Sequence, residues 1–155
     1  MKKLAQGDKA PDFSAADQEG NVVSLASLRG RRVILYFYPK DSTPGCTAEA
    51  CSLRDGKREL LRMGFEIVGV NPGSAASHRN FIEKNALNFP ILVDADHAIA
   101  DAYGVWGEKK MAGRAYMGIL RTTFIIDAEG AIERIFDKVD VKRHFEQIAD
   151  AYKQQ

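Results

Sequence analysis

The sequence predicts an α/β domain built on a mixed sheet, and two observations carry that reading. Short runs rich in β-branched and aromatic residues alternate along the chain with segments of helical spacing, the pattern of strands joined by crossover helices. Two connections, Asp17-Gln18-Glu19-Gly20-Asn21 and Asp127-Ala128-Glu129-Gly130, are turn sequences too short to hold a helix, so the strands they join must run antiparallel. The first closes an N-terminal β-hairpin. Further strands are expected at 33–38, 65–70, 91–93, 122–126 and 131–136, each bounded by Gly, Pro or Asp. Helical spacing covers 44–63, 74–85 and 98–103. A last helix carries Val141, Phe145, Ile148, Ala149 and Tyr152 on one face, which should lie on the sheet. Residues 104–118, glycine-rich and charged, read as an irregular excursion.

The chain has 155 residues. That is one domain over 1–155, large enough to bury about 68–70% of its unfolded surface without a covalent brace. A net charge of +1 gives no long-range field for nucleic acid or an anionic membrane. Arg29-Gly30-Arg31-Arg32 reads as a solvated turn before a strand. Met1-Lys2-Lys3 resembles the basic start of a signal peptide, but no apolar core region follows, and no stretch is long enough to span a bilayer. The expected location is therefore cytoplasmic. Thiols are kept reduced there, so a cysteine pair is more often catalytic or metal-binding than a static brace.

Cys46 and Cys51 are the only cysteines. Thr43 suits a helix N-cap and Pro44 the first helical position, which puts Cys46 in the first turn, facing unpaired N–H groups and the positive end of the helix dipole. A thiol with a pKa near 8.5 is only a few per cent ionised at pH 7, and bringing such a pKa to about 6 takes roughly 3.4 kcal/mol. A helix terminus supplies about 0.3–1 kcal/mol and at best ~2. A cation is therefore required. Arg121, held at the start of the strand 122–126, is one choice among many, and an arginine capping a surface strand is the plainer reading.

Residues five apart on one helix are separated by about 7.5 Å along the axis and point about 140° apart, whereas a disulfide needs Cα atoms within about 7 Å and converging side chains. If Cys46 and Cys51 bond, the helix must unwind. Gly45, Ser52, Asp55 and Gly56 weaken it. The pair thus reads as a switch between a helical reduced form and a locally unfolded oxidised one. A metal centre would need about four ligands, yet His78, His97 and His144 are spread along the sequence, away from each other and from the cysteines. No cofactor is expected. Glu49, one turn after Cys46, either orients an arginine or faces solvent. The aromatics read mostly as core, with bordering a pocket the alternative reading for Phe81 and Trp106.

In the run Tyr38-Pro39-Lys40-Asp41-Ser42-Thr43-Pro44-Gly45-Cys46-Thr47-Ala48-Glu49-Ala50-Cys51 the sequence resembles the peroxiredoxins of the bacterioferritin-comigratory-protein, or Q-type, group. The likeness extends to Gly7-Asp8-Lys9-Ala10-Pro11-Asp12-Phe13, to residues 103–109 and to Arg121-Thr122-Thr123-Phe124. Asn71-Pro72-Gly73 departs from it, where relatives more often carry a Ser and an Asp. The resemblance implies a thioredoxin-like fold and a thiol peroxidase. Cys46 would be the nucleophile and Cys51 the resolving cysteine. Thr43 and Arg121 would organise thiolate and peroxide, and Pro39 would shield the pocket. It also implies reduction by thioredoxin. The C-terminal helix ends at Gln155 with no added arm or third cysteine, which favours a monomer. A thioredoxin-type disulfide reductase competes, but it expects Cys-x-x-Cys. A peroxide sensor shares the first chemical step, and two cysteines merely filling core space would leave their pairing without a reason.

Overall fold

The computed structural model describes residues 3–153, and Met1, Lys2 and Gln155, which enter the sequence reading, lie outside them. A hairpin of β1 (Ser14–Ala16) and β2 (Val22–Ser24) leads into β3 (Arg32–Phe37), α1 (Pro44–Arg62), β4 (Phe65–Asn71), α2 (Ala75–Asn85), β5 (Ile91–Val93) and α3 (Ala98–Ala102). A second hairpin, β6 (Trp106–Met111) and β7 (Arg114–Ile119), precedes β8 (Thr122–Ile126), β9 (Ile132–Phe136) and α4 (His144–Lys153). The central sheet runs β5-β4-β3-β8-β9. Its first three strands are parallel and its last two antiparallel to their neighbours. This is the thioredoxin-like arrangement that the resemblance implies.

Both predicted turns use one device. Asp17 Oδ1 accepts from the N–H groups of Glu19 and Asn21, and Asp127 Oδ1 accepts from those of Glu129 and Ala131. A carboxylate that satisfies the backbone of its own turn fixes a short reversal. The sheet then divides the core in two, because successive side chains on a strand point to opposite faces. Val33, Leu35 and Phe37 pack with Ile99, Ala100 and Phe124 on one side. Ile34, Tyr36 and Tyr38 pack with Cys46, Leu53, Phe81 and Ile148 on the other. Alternation along β3 therefore places α1 and α4 on the same face of the sheet.

Two expectations are corrected. Residues 104–118 are not irregular: β6 and β7 pair in continuous register from Trp106–Ile119 to Met111–Arg114. The two-residue loop, Ala112 (φ 53°) and Gly113 (φ 79°), has the paired positive φ that suits the twist of a hairpin. Gly107 and Gly118 face one another across the hairpin. A Cβ at Gly107 would strike the Leu120 side chain at 2.9 Å, and one at Gly118 would press on Lys109 at 3.2 Å. These glycines permit close packing within a regular hairpin. The last helix starts at His144, so Val141 lies in the preceding turn, where Arg143 N–H donates to Asp140 C=O.

The topology creates the site. Parallel β3 hands the chain to α1 at its C-terminal end, while antiparallel β8 begins at that same edge, with Thr122 paired to Phe37. Arg121 thus arrives beside the loop that precedes Cys46.

Candidate active site

The loop between β3 and α1 is held from below by Asp41. Its carboxylate accepts from the Tyr38 hydroxyl (2.5 Å), the Ser77 hydroxyl (2.7 Å) and His78 Nδ1 (2.6 Å). Burial favours the neutral acid, yet these hydrogen bonds outweigh it and hold the carboxyl below its usual range. Asn71, part of the departure noted above, donates to Tyr38 C=O at 2.8 Å and accepts from Gly73 N–H at 2.8 Å. That departure therefore supports the loop leading to the cysteine. His78 is a buried structural residue.

Thr43 occupies the N-cap position of α1, but its side chain does not cap the helix. Its hydroxyl donates to Lys40 C=O at 2.8 Å instead. The oxygen's lone pairs are left to accept. Cys46 lies in the first turn and is 1% exposed, with its sulfur in the apolar cluster under the sheet. Among the described residues one polar contact reaches it: Arg121 Nη2 stands 3.4 Å from Sγ. Arg121 Nη1 donates to Glu49 Oε1 at 2.5 Å. Glu49 is fully buried and does not face solvent. Burial pushes its carboxyl up to about 7 while Arg121 pulls it down. For Arg121 itself, burial works against the charge, but Glu49 and the Cys46 sulfur together outweigh it and raise the guanidinium's pKa. Sulfur and carboxylate thus share one preorganised cation.

Cys51 faces elsewhere. Its Sγ lies 3.9 Å from Asn85 Oδ1 at the end of α2, and both cysteines are free thiols within the continuous helix α1. Pro39 and Thr43 border a groove of about 460 Å³ whose far wall is the second hairpin, with Trp106, Met117 and Ile119. Trp106 stacks on His97 with ring centroids 4.0 Å apart. Phe81 does not border the groove: it is fully buried against Tyr38. The sequence reading also set His144 apart from the cysteines, yet its Nε2 lies 3.7 Å from Glu49 Oε2. Among the described residues no group of three His, Cys, Asp or Glu is placed to hold a metal, and no helix is long and apolar enough to cross a membrane.

Residues 6–135 match the AhpC/TSA family. A putative peroxiredoxin bcp of Haemophilus influenzae is 47% identical over 150 residues, covering 97% of each chain. The peroxiredoxin Bcp of Escherichia coli K12 is 44% identical over 154 residues, covering 99% of each. The chain belongs to the AhpC/TSA family, as a peroxiredoxin of the Bcp group. The bacterioferritin comigratory protein of Xanthomonas campestris, studied for its alkyl peroxide reduction activity, superposes on this peroxiredoxin with a TM-score of 0.85. It is 35% identical, covering 92% of this chain and 90% of its own. Peroxiredoxins are peroxidases restored by a thiol reductant, and the chain is an enzyme of that kind.

Proposed function

We propose that Cys46 is the peroxidatic nucleophile and Cys51 its resolving partner, with Arg121, Thr43 and Pro39 preparing the sulfur and seating the peroxide. The observation that carries this reading is the sulfur of Cys46 standing 3.4 Å from a guanidinium that a buried carboxylate holds in place. A fixed cation stabilises negative charge on the sulfur and costs no reorganisation when charge moves onto the peroxide.

The Cys46 thiolate attacks one peroxide oxygen in line. The S–O bond forms as O–O breaks, and the departing oxygen takes the electron pair and a proton to leave as water or an alcohol. Arg121 faces the charge spreading across the breaking bond. Thr43 has committed its proton to Lys40 C=O, so its oxygen accepts from the peroxide O–H and fixes which oxygen is attacked. Pro39 covers the site. The groove's apolar wall at Trp106, Met117 and Ile119 suits an alkyl group, so hydrogen peroxide and organic hydroperoxides are both substrates. The likeness to the Xanthomonas protein supports the second.

The Cys46 sulfenic acid then condenses with the Cys51 thiol, releasing water and forming the disulfide. Cys46 faces Arg121 and Cys51 faces Asn85, so the first turns of α1 must unwind before the sulfurs meet. An external dithiol, thioredoxin, returns the pair to thiols by exchange. The enzyme works as a monomer in the cytoplasm, where such dithiols are kept reduced.

Intact-mass measurement after one equivalent of peroxide tests the assignment. The wild type should lose two hydrogens and give a Cys46–Cys51 linked peptide. Cys46→Ser should give no oxidation product, and Cys51→Ser a sulfenic acid that a carbon nucleophile traps. Free thiols persisting in the wild type would end this reading.

A further inference from the structure

We propose that His144, at the start of α4, is a positioning residue for the peroxidatic site, acting on Cys46 through Glu49 and Arg121. The inference rests on the nucleophile assignment above. From Cys46 Sγ the path runs to Arg121 Nη2 (3.4 Å), from Arg121 Nη1 to Glu49 Oε1 (2.5 Å), and from Glu49 Oε2 to His144 Nε2 (3.7 Å). Glu49 and His144 are both fully buried.

The proton positions follow from the neighbours. Gln147 Nε2 donates to Lys138 C=O at 2.9 Å, so Gln147 Oε1 is the acceptor facing His144 Nδ1 at 2.8 Å. Nδ1 therefore carries the hydrogen. Nε2 is left with one lone pair, which accepts a hydrogen bond from the Thr123 hydroxyl at 2.8 Å. Glu49 Oε2, which points towards this nitrogen, has no hydrogen-bond partner. With its one lone pair committed to Thr123, Nε2 offers Glu49 no donor, so a charged Oε2 is left unpaired against an electron-rich nitrogen in an apolar interior, and one proton on the carboxyl relieves that repulsion. Burial favours that state from both sides, pushing Glu49 up to about 7 and His144 down to about 4.

The groups around the pair are few. Glu49 also faces Arg121, and its charge reaches the Tyr36 hydroxyl from β3, whose proton burial retains. His144 senses Arg121 and Asp140 and packs edge-on against Phe136. α4 is anchored where it matters: Phe145 N–H donates to the Ser52 hydroxyl of α1 at 3.0 Å. His144 thus sets where Glu49 stands, and whether it is charged sets how fully Arg121 is available to the sulfur.

The test compares His144→Leu, which removes both nitrogens, with His144→Gln, whose amide can donate permanently to Glu49 Oε2. Both are made in Cys51→Ser, which leaves Cys46 as the only thiol. Two rates are followed from pH 5 to 9: Cys46 oxidation by one equivalent of hydrogen peroxide, and Cys46 alkylation by iodoacetamide. His144→Leu is expected to lower both rates by about tenfold and to move the inflection that Glu49 imparts near pH 7. His144→Gln should restore the rates to within about threefold of the parent and remove that inflection. Parent-like rates and pH profile in His144→Leu, or equal losses in Leu and Gln, overturn the proposal. If His144→Leu does not fold, the same profiles in His144→Gln and Gln147→Leu decide it, and a parent-like inflection in both overturns it. Alkylation keeps the test separate from the nucleophile assignment, because a parent inert to peroxide sinks that assignment while alkylation still reports on His144.

Discussion

Replacing Arg121 with methionine is expected to lower kcat/KM for hydrogen peroxide by about 10²–10³, the loss of roughly 3–4 kcal/mol of transition-state stabilisation. Methionine keeps the unbranched stem and removes the charge and the fork of donors. Arg121→Lys keeps a charge, but a single ammonium cannot serve Glu49 and the sulfur in parallel, so its activity should fall between the two. The same change acts on stability. Glu49 is fully buried, and Arg121 is the cation that pairs it. Breaking a buried pair by removing one member costs on the order of 3–5 kcal/mol where the remaining group is charged.

The pH dependence of that cost has a definite sign. Glu49 has a folded pKa raised to about 7, above the value of an unfolded glutamate, so the native state holds more protons through that window. Stability therefore falls as pH rises across it. Without Arg121 the carboxyl moves higher still, and the window extends upward. Arg121→Met should be close to wild type in urea unfolding at pH 5 and clearly weaker at pH 8. Adding Glu49→Gln should restore the stability at pH 8 and leave peroxidase activity low. Recovery of both together would mean that Arg121 serves packing and not the sulfur.

The inner strands of the central sheet were legible because they are buried on both faces and read as apolar runs between turn residues, as β3 and β8 show. The second hairpin was not. Its strands carry Lys109, Lys110 and Arg114 and lie largely exposed, so no alternation of apolar and polar residues marks them. Of the glycines that suggested an irregular excursion, Gly107 and Gly118 leave room for the Leu120 and Lys109 side chains against the backbone.

At the site, the sequence brought forward Pro39, Thr43, Cys46, Glu49, Cys51 and Arg121; Arg121 joins Cys46 to Glu49, Pro39 and Thr43 border the groove, and Cys51 points away. Periodicity could not decide whether Glu49 faced water. A glutamate in a first turn is ordinarily solvated, and its burial depends on β8 delivering Arg121 from far along the chain. His144 escaped notice because spacing within a sequence says nothing of which helix docks on which. A signal was present: His144 falls four residues before Ile148, on the apolar face of the last helix, and a polar ring there needs a buried partner.

Gly56 supplies the second large effect, with a sign opposite to that of helix propensity. Alanine is better than glycine inside a helix by about 0.8–1 kcal/mol, and Gly56 sits within α1. A Cβ at Gly56, however, would overlap the ring of Phe145 on α4. Phe145 cannot swing aside freely, because its backbone N–H is bound to Ser52 and the preceding residue, His144, is fully buried. Overpacking of this kind costs about 1–3 kcal/mol. Gly56→Ala should therefore lower the melting temperature by about 3–10 °C. In a Phe145→Ala background the obstacle is gone, and the same change should raise stability by up to about 1 kcal/mol. Urea unfolding of the four proteins in the cycle measures this reversal, and an equal effect in both backgrounds would refute the contact as its cause. The contact also bears on catalysis. In the proposed resolving step only the stretch of α1 that carries both cysteines has to unwind, and α4 docked at Gly56 would hold the rest of the helix in place.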